Sequence, residues 1–134
     1  MTVPLREQRL LGQRSGDRCA FPTCRRRLTA EASPPDQAVI LGEIAHIIAE
    51  SSDGPRGDAS LSLADLNKYE NLILLCNVHH QLIDDQYQTF TIERLRQMKQ
   101  DHEAWVESTL GRGIDDPFRT ETVPHLHETV YSTL

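Results

Sequence analysis

The sequence predicts a small α+β domain. Three observations carry that expectation: a β-branched run over Ala38–Ile48, a short apolar run over Leu72–Cys76, and helical stripes before and after them. In 134 residues, hydrophobic side chains make up 38% and aromatics 5%, so the core is lean. Cores of that kind are commonly braced by a metal or a partner chain as well as by packing. No apolar run approaches the ~18 residues of a membrane span. The opening stretch MTVPLREQRLLGQRSG lacks the apolar centre of a signal peptide. Membrane, collagen, coiled-coil and disulfide-dense classes are therefore excluded.

Residues 4–14 suit a short helix of fair amphipathicity, ended by Ser15-Gly16-Asp17. Cys19-Ala-Phe-Pro-Thr-Cys24 is a tight knuckle, turned at Pro22. Thr29–Asp36 is a loop, because Pro34-Pro35 excludes helix. Ala38–Ile48 reads as one strand with Gly42 as a bulge. Ala49–Ser60 is a loop with turns at Gly54-Pro55 and Gly57-Asp58, and Ser62–Leu66 suits a helical turn. Leu72–Cys76 is a short buried segment, and Asn77–Asp85 opens a helix. A last helix begins near Thr91, capped by Thr89 or Thr91. Its stripe of Ile92, Leu95, Met98, Lys99, His102, Trp105 and Val106 runs to about Ser108. The organisation is a basic arm over residues 1–17, a domain over 18–110, and a tail over 111–134 that reads as a linker towards another module.

Charge divides along the chain. The net is −6, yet residues 1–30 hold seven arginines against Glu7 and Asp17. The remaining residues are acidic overall. A basic segment dominated by Arg, three of them consecutive at Arg25-Arg26-Arg27, suits a polyanionic partner.

The cysteines and histidines point to a metal. Cys19-x4-Cys24 is answered about fifty residues later by Cys76-x2-His79. Two close pairs of thiolate and imidazole donors, each on a turn, are the usual way to cage tetrahedral zinc. Three cysteines cannot pair off as disulfides, and with no signal peptide a reducing, cytoplasmic location follows. Zinc binding would also supply folding free energy to the lean core.

Three further segments carry a resemblance: Gly42-Glu-Ile-Ala-His46-Ile-Ile, then Asn67-Lys-Tyr-Glu-Asn71-Leu-Ile-Leu-Leu-Cys76, then Asn77-Val-His79-His80-Gln-Leu-Ile-Asp84. Over roughly Arg18–Trp105 the chain resembles the HNH nuclease family. That resemblance implies a ββα-metal core, a short β-hairpin plus a helix, with flanking helices and a structural zinc. It implies a metal-dependent endonuclease acting on DNA. His46 would be the general base, since a phosphodiester needs an activated water and a metal beside it. Asn71 would brace the loop bearing that base or approach the metal. His80 would be a ligand of the catalytic ion while His79 turns to the zinc, adjacent helical residues pointing ~100° apart. The reverse assignment leaves the zinc a poorer pair spacing. Similar small domains are often attached to sensor modules in bacterial antiviral or restriction systems, and cleaving two strands often calls for a homodimer.

One departure stands out. Many members carry Asp or His immediately before the base, as a metal ligand; here that position is Ala45. Two carboxylates can substitute. Asp84 lies four residues after His80, on one helical face, and is preferred. Glu43 lies two residues before Ala45, on the same strand face. Oxygen donors with one imidazole suit Mg²⁺ or Mn²⁺. Arg25, Arg26 and Arg27 would clamp backbone phosphates, and Arg56 would sit nearer the cut. Ala45 keeps open a second reading, a zinc-stabilised nucleic-acid-binding module that does not cleave. A third is a protein-interaction domain presenting its acidic C-terminal helix.

Overall fold

The computed structural model describes residues 2–110, and the tail expected over residues 111–134 lies outside them. Helix α1 spans Leu5–Arg14 and buries Leu11. Gly16 and Asp17, at φ of 61° and 58°, turn the chain back at its end. The knuckle follows between Arg18 and Arg27, which bridge across it, while the Cys19 amide donates to Arg26 O at 2.9 Å.

The run Ala38–Ile48 is not one bulged strand but two strands with different partners. β1 (Thr29–Ala30) pairs with β2 (Val39–Ile40), whereas β3 (Gly42–His46) pairs with β4 (Leu72–Cys76). Leu41 is the switch, its amide donating to Leu28 O at 2.7 Å. Gly42 follows because the chain runs tight against Leu28: a Cβ there would lie 3.1 Å from the Leu28 side chain.

The β3–β4 pair is antiparallel, with Gly42 opposite Cys76 and His46 opposite Leu72. Between these strands lie α2 (Leu63–Leu66), whose Asp65 amide is capped by Ser62 Oγ at 3.1 Å, and a 3₁₀ turn at Tyr69–Asn71. Helix α3 (Asn77–Asp85) starts at the residue after β4, completing the strand–strand–helix unit. Side chains alternate across the hairpin. Ala45, Ile73 and Leu75 face one way and pack with Ile83 of α3 and with Leu95 and Met98 of α4 (Ile92–Leu110). Leu72 faces the other way, with Leu11 and Tyr69, and Ile44 packs beside them.

Thr91 caps α4, its Oγ1 accepting from the Arg94 amide at 3.2 Å. Two polar residues of the α4 stripe are buried and partnered. Lys99 Nζ donates to Leu72 O at 2.8 Å and lies 3.7 Å from the centre of the Tyr69 ring. His102 Nε2 donates to Ser15 O at 2.9 Å, leaving Nδ1 to accept from Arg25 at 3.2 Å. Among the described residues no helix is long and apolar enough to cross a membrane.

His102 makes stability pH-dependent. Burial pushes its imidazole below the ordinary value and the Arg25 guanidinium adds to this, against the Ser15 and Arg18 backbone and Glu103. The unfolded chain therefore binds the extra proton first. The contribution is whole above the unfolded value of about 6.5 and is lost as pH falls towards the folded one. Urea denaturation should show wild type losing up to about 1.4 kcal/mol more per pH unit than His102→Gln below about pH 6.5. Comparing the two variants cancels protonation at the cysteine cluster, which both share.

Candidate metal centres

The knuckle and the β4–α3 junction bring four donors together. Cys19, Cys24, Cys76 and His79 offer three sulfurs and a ring nitrogen within 4.8 Å of one another. His79 Nδ1 lies 3.2 Å from Cys76 Sγ and 3.7 Å from Cys19 Sγ, and the Phe21 ring stacks on His79 at 4.0 Å. The Cys76 amide donates to Cys19 Sγ at 3.3 Å, which favours a thiolate.

Their electrostatics fit a zinc ion. Burial pushes the Cys19 thiol up to about 12, with the neighbouring cysteines adding to it and amide donors opposing. Burial also opposes charge on Cys76, but hydrogen bonds from the His79 and Val78 backbone and from Cys19 and Cys24 outweigh it and hold that thiol below its ordinary value. Burial and the nearby Arg26 push the His79 imidazole below its ordinary value. Three sulfurs and a neutral imidazole are a tetrahedral zinc set, and an ion is what would turn the buried thiols into thiolates.

A second group lies on the outer side of α3. His80 Nδ1 is 2.8 Å from Glu43 Oε1, and His80 Nε2 is 3.5 Å from Asp84 Oδ2. These residues line an open groove with Asn77, Gln81 and Asp85. The two carboxylates sit at opposite ring nitrogens, so they do not converge as the cysteine cluster does. With Nδ1–H donating to Glu43, Nε2 turns a lone pair towards an Asp84 oxygen. These two acceptors could together hold a divalent cation. The donor set, one imidazole and one carboxylate open to solvent, leaves most positions around such an ion to water. Glu43 would then orient His80 from behind, as carboxylates do for metal-bound imidazoles.

His46 ends β3 on the face of Ile44, whereas Glu43 and Ala45 belong to the face that meets α3. It is not among the residues lining the His80 groove. Strand alternation therefore turns His46 off the face that carries the His80 groove. His46 Nε2 donates to Asn67 Oδ1 at 2.7 Å, which leaves Nδ1 as the free acceptor. Asn67 is buried and closes α2; its Nδ2 has no partner among the described residues. Asn71 ties down the segment after His46. Its Oδ1 accepts from the Ile48 amide at 2.8 Å, and its Nδ2 donates to Ile48 O at 3.0 Å and Leu66 O at 2.9 Å.

A family model described as HNH endonuclease matches residues 19–91, more than half of the chain. The chain belongs to the HNH endonuclease family. No curated protein matches it. The matched span takes in the four cysteine-cluster donors as well as Glu43, His46, Asn71, His80 and Asp84.

Within this HNH domain the arginines are placed differently from the sequence expectation. Arg56 was expected near a phosphate, but its side chain is only 7% exposed and it bonds Ile47 O, Ile83 O, Phe90 O and Asp84. Arg25 turns inward onto α4, with its guanidinium 4.7 Å from the Trp105 ring centre and against His102. Arg27 pairs with Glu31 at 2.8 Å. Arg26 is exposed. Asn67 had no signal in the sequence beyond closing a helical turn. Arg56 had a weak one, an arginine in the Gly54-Pro55-Arg56-Gly57 turn, where it adopts a φ of 59°.

Elemental analysis of the purified HNH domain should give one zinc per chain. Stripping it with a strong chelator should abolish the cooperative thermal transition, since the binding free energy of such sites, roughly 10 kcal/mol or more, is folding free energy. An unchanged midpoint in the metal-free protein contradicts the structural role. Asn71→Asp retains the acceptor for Ile48 N but leaves Ile48 O and Leu66 O facing an oxygen. Urea denaturation should record a loss of about 2–4 kcal/mol.

Proposed function

We propose that this chain is a metal-dependent endonuclease that hydrolyses DNA phosphodiester bonds. The observation that carries the reading is the line Glu43–His80–Asp84, in which two acceptors 3.5 Å apart face each other across a space suited to a cation. The family supports nuclease chemistry and the donor set supports Mg²⁺ or Mn²⁺. An ion bound there would stabilise charge on the phosphate and on the leaving oxygen.

The other roles fall to the chain's own groups. His46, with its Nε2 hydrogen directed at Asn67, presents Nδ1 to take a proton from water. Asn71 holds the backbone behind it through Ile48. Arg26, exposed beside the cysteine cluster, and the partly exposed Arg27 are left to meet backbone phosphates, which implies recognition by charge and shape. One centre per chain acting on two strands suits a homodimer. The cytoplasm, and an effector role beside a sensor module in bacterial defence or restriction, complete the reading.

A second reading is favoured by Ala45 and by the placement of His46 on the opposite strand face: a zinc-stabilised module that binds nucleic acid without cutting it. Nicking of supercoiled plasmid with Mg²⁺ or Mn²⁺ separates the two. Under the first reading wild type nicks, and His46→Ala and His80→Ala each slow nicking by at least about 10²-fold with zinc content unchanged. DNA binding by wild type at low salt, with no nicking under any divalent ion, selects the second.

A further inference from the structure

Arg56, drawn away from the phosphate contact that the sequence suggests, has one of the most heavily engaged guanidinium groups among the described residues. It comes from the loop after β3, on a left-handed backbone with φ of 59°. Its Nε donates to Ile47 O at 3.2 Å, the carbonyl next to His46. One Nη donates to Ile83 O at 2.9 Å and to Phe90 O at 3.3 Å, at the end of α3 and in the turn before α4. The other Nη donates to Asp84 Oδ1 at 3.1 Å. Asp84 is therefore divided: Oδ1 is held by Arg56 and Oδ2 faces His80 Nε2.

We propose that Arg56 is a positioning residue of the ion site. It fixes the rotamer of Asp84 so that Oδ2 meets the ion, and it holds the strand end bearing His46 against the helix bearing His80. This inference rests on the proposed ion site and extends it to a residue that touches neither ion nor phosphate. A half-exposed aspartate one turn after a histidine otherwise samples several rotamers. A guanidinium anchored by three carbonyls removes that freedom, because a planar fork bonds in fixed directions. Lysine carries the charge but not the fork, so it cannot hold Asp84 and the carbonyls together.

The test is Mn²⁺ titration into zinc-loaded protein, followed calorimetrically, for wild type, Arg56→Lys, Asp84→Asn and the double variant. Arg56→Lys should weaken Mn²⁺ binding by about 10-fold or more, as changes behind a ligand do, with zinc content and helicity kept. The double variant should bind no more weakly than Asp84→Asn, because Arg56 acts through Asp84. Multiplying losses, or an affinity for Arg56→Lys within twofold of wild type, overturn the proposal. Should Arg56→Lys fail to fold, nitrogen-15 spectra of wild type and Asp84→Asn decide the matter. In wild type the Arg56 side-chain signal should shift with Mg²⁺ in step with the His80 ring; in Asp84→Asn that response should vanish. An Arg56 signal that stays still while His80 saturates overturns the proposal. Wild type that takes up no Mn²⁺ beyond its zinc removes the ion site itself, an outcome visible before any variant is made.

Discussion

Cys76 ends one strand, precedes a helix and supplies a sulfur to the donor cluster, while its amide reaches back to Cys19. The geometry of everything after it depends on that junction. With His79 Nδ1 held among the sulfurs, the rotational phase of α3 has no freedom left. His80 must then project about 100° away from the cluster, over Glu43. Asp84 follows on the same face one turn later. A lean core gives a nine-residue helix little else to fix its rotation, and Ile83 is the one α3 residue fully buried in it. The same four donors thus brace the fold and aim the groove. A hydrophobic brace of equal strength would not need to specify which ring points where.

The hairpin divides the functional groups between its two faces. Strand alternation makes Ala45 part of the core against α3 and turns His46 away from it. With Ala45 in the core, the carboxylates near His80 are Glu43 and Asp84, and on the proposed reading the spacing of base and ion site would be set through tertiary contacts. Asn71 holds the segment after His46 through Ile48, while Arg56 spans from Ile47 to Asp84.

Much of this was legible in the sequence because it is local. The boundaries of α1, β4 and α3, the start of α4 at Thr91 and the pairing of the two metal-ligand couples all follow from periodicity, caps and spacing within a few residues. What escaped was long-range. Ala38–Ile48 carries one propensity throughout, and only the close approach of Leu28 to Leu41 and Gly42 breaks it into strands with separate partners. The arginines misled for a related reason. Clustering in sequence reads as a basic patch, but Arg25 is drawn onto α4 by Trp105 and His102, and Arg56 into a ring of carbonyls. Neither set of partners is near in the chain. Buried Asn67 was invisible because its partner His46 lies 21 residues away.

The two centres differ in a way that bears on how they can coexist in one small chain. Sulfur donors, burial and a closed set of four select a borderline-soft ion and hold it. The His80 groove offers one nitrogen, exposed carboxylates and open sides, which on the proposed reading would suit a hard divalent ion with positions left for phosphate oxygens. Since Glu43, Asp84 and Asp85 face the groove with no exposed arginine among its lining residues, its own charge opposes a phosphodiester. On the proposed reading, the cation reverses that sign locally. Ion and nucleic acid would therefore favour each other's binding through charge alone, and the acidic balance of the whole chain becomes compatible with a polyanionic substrate.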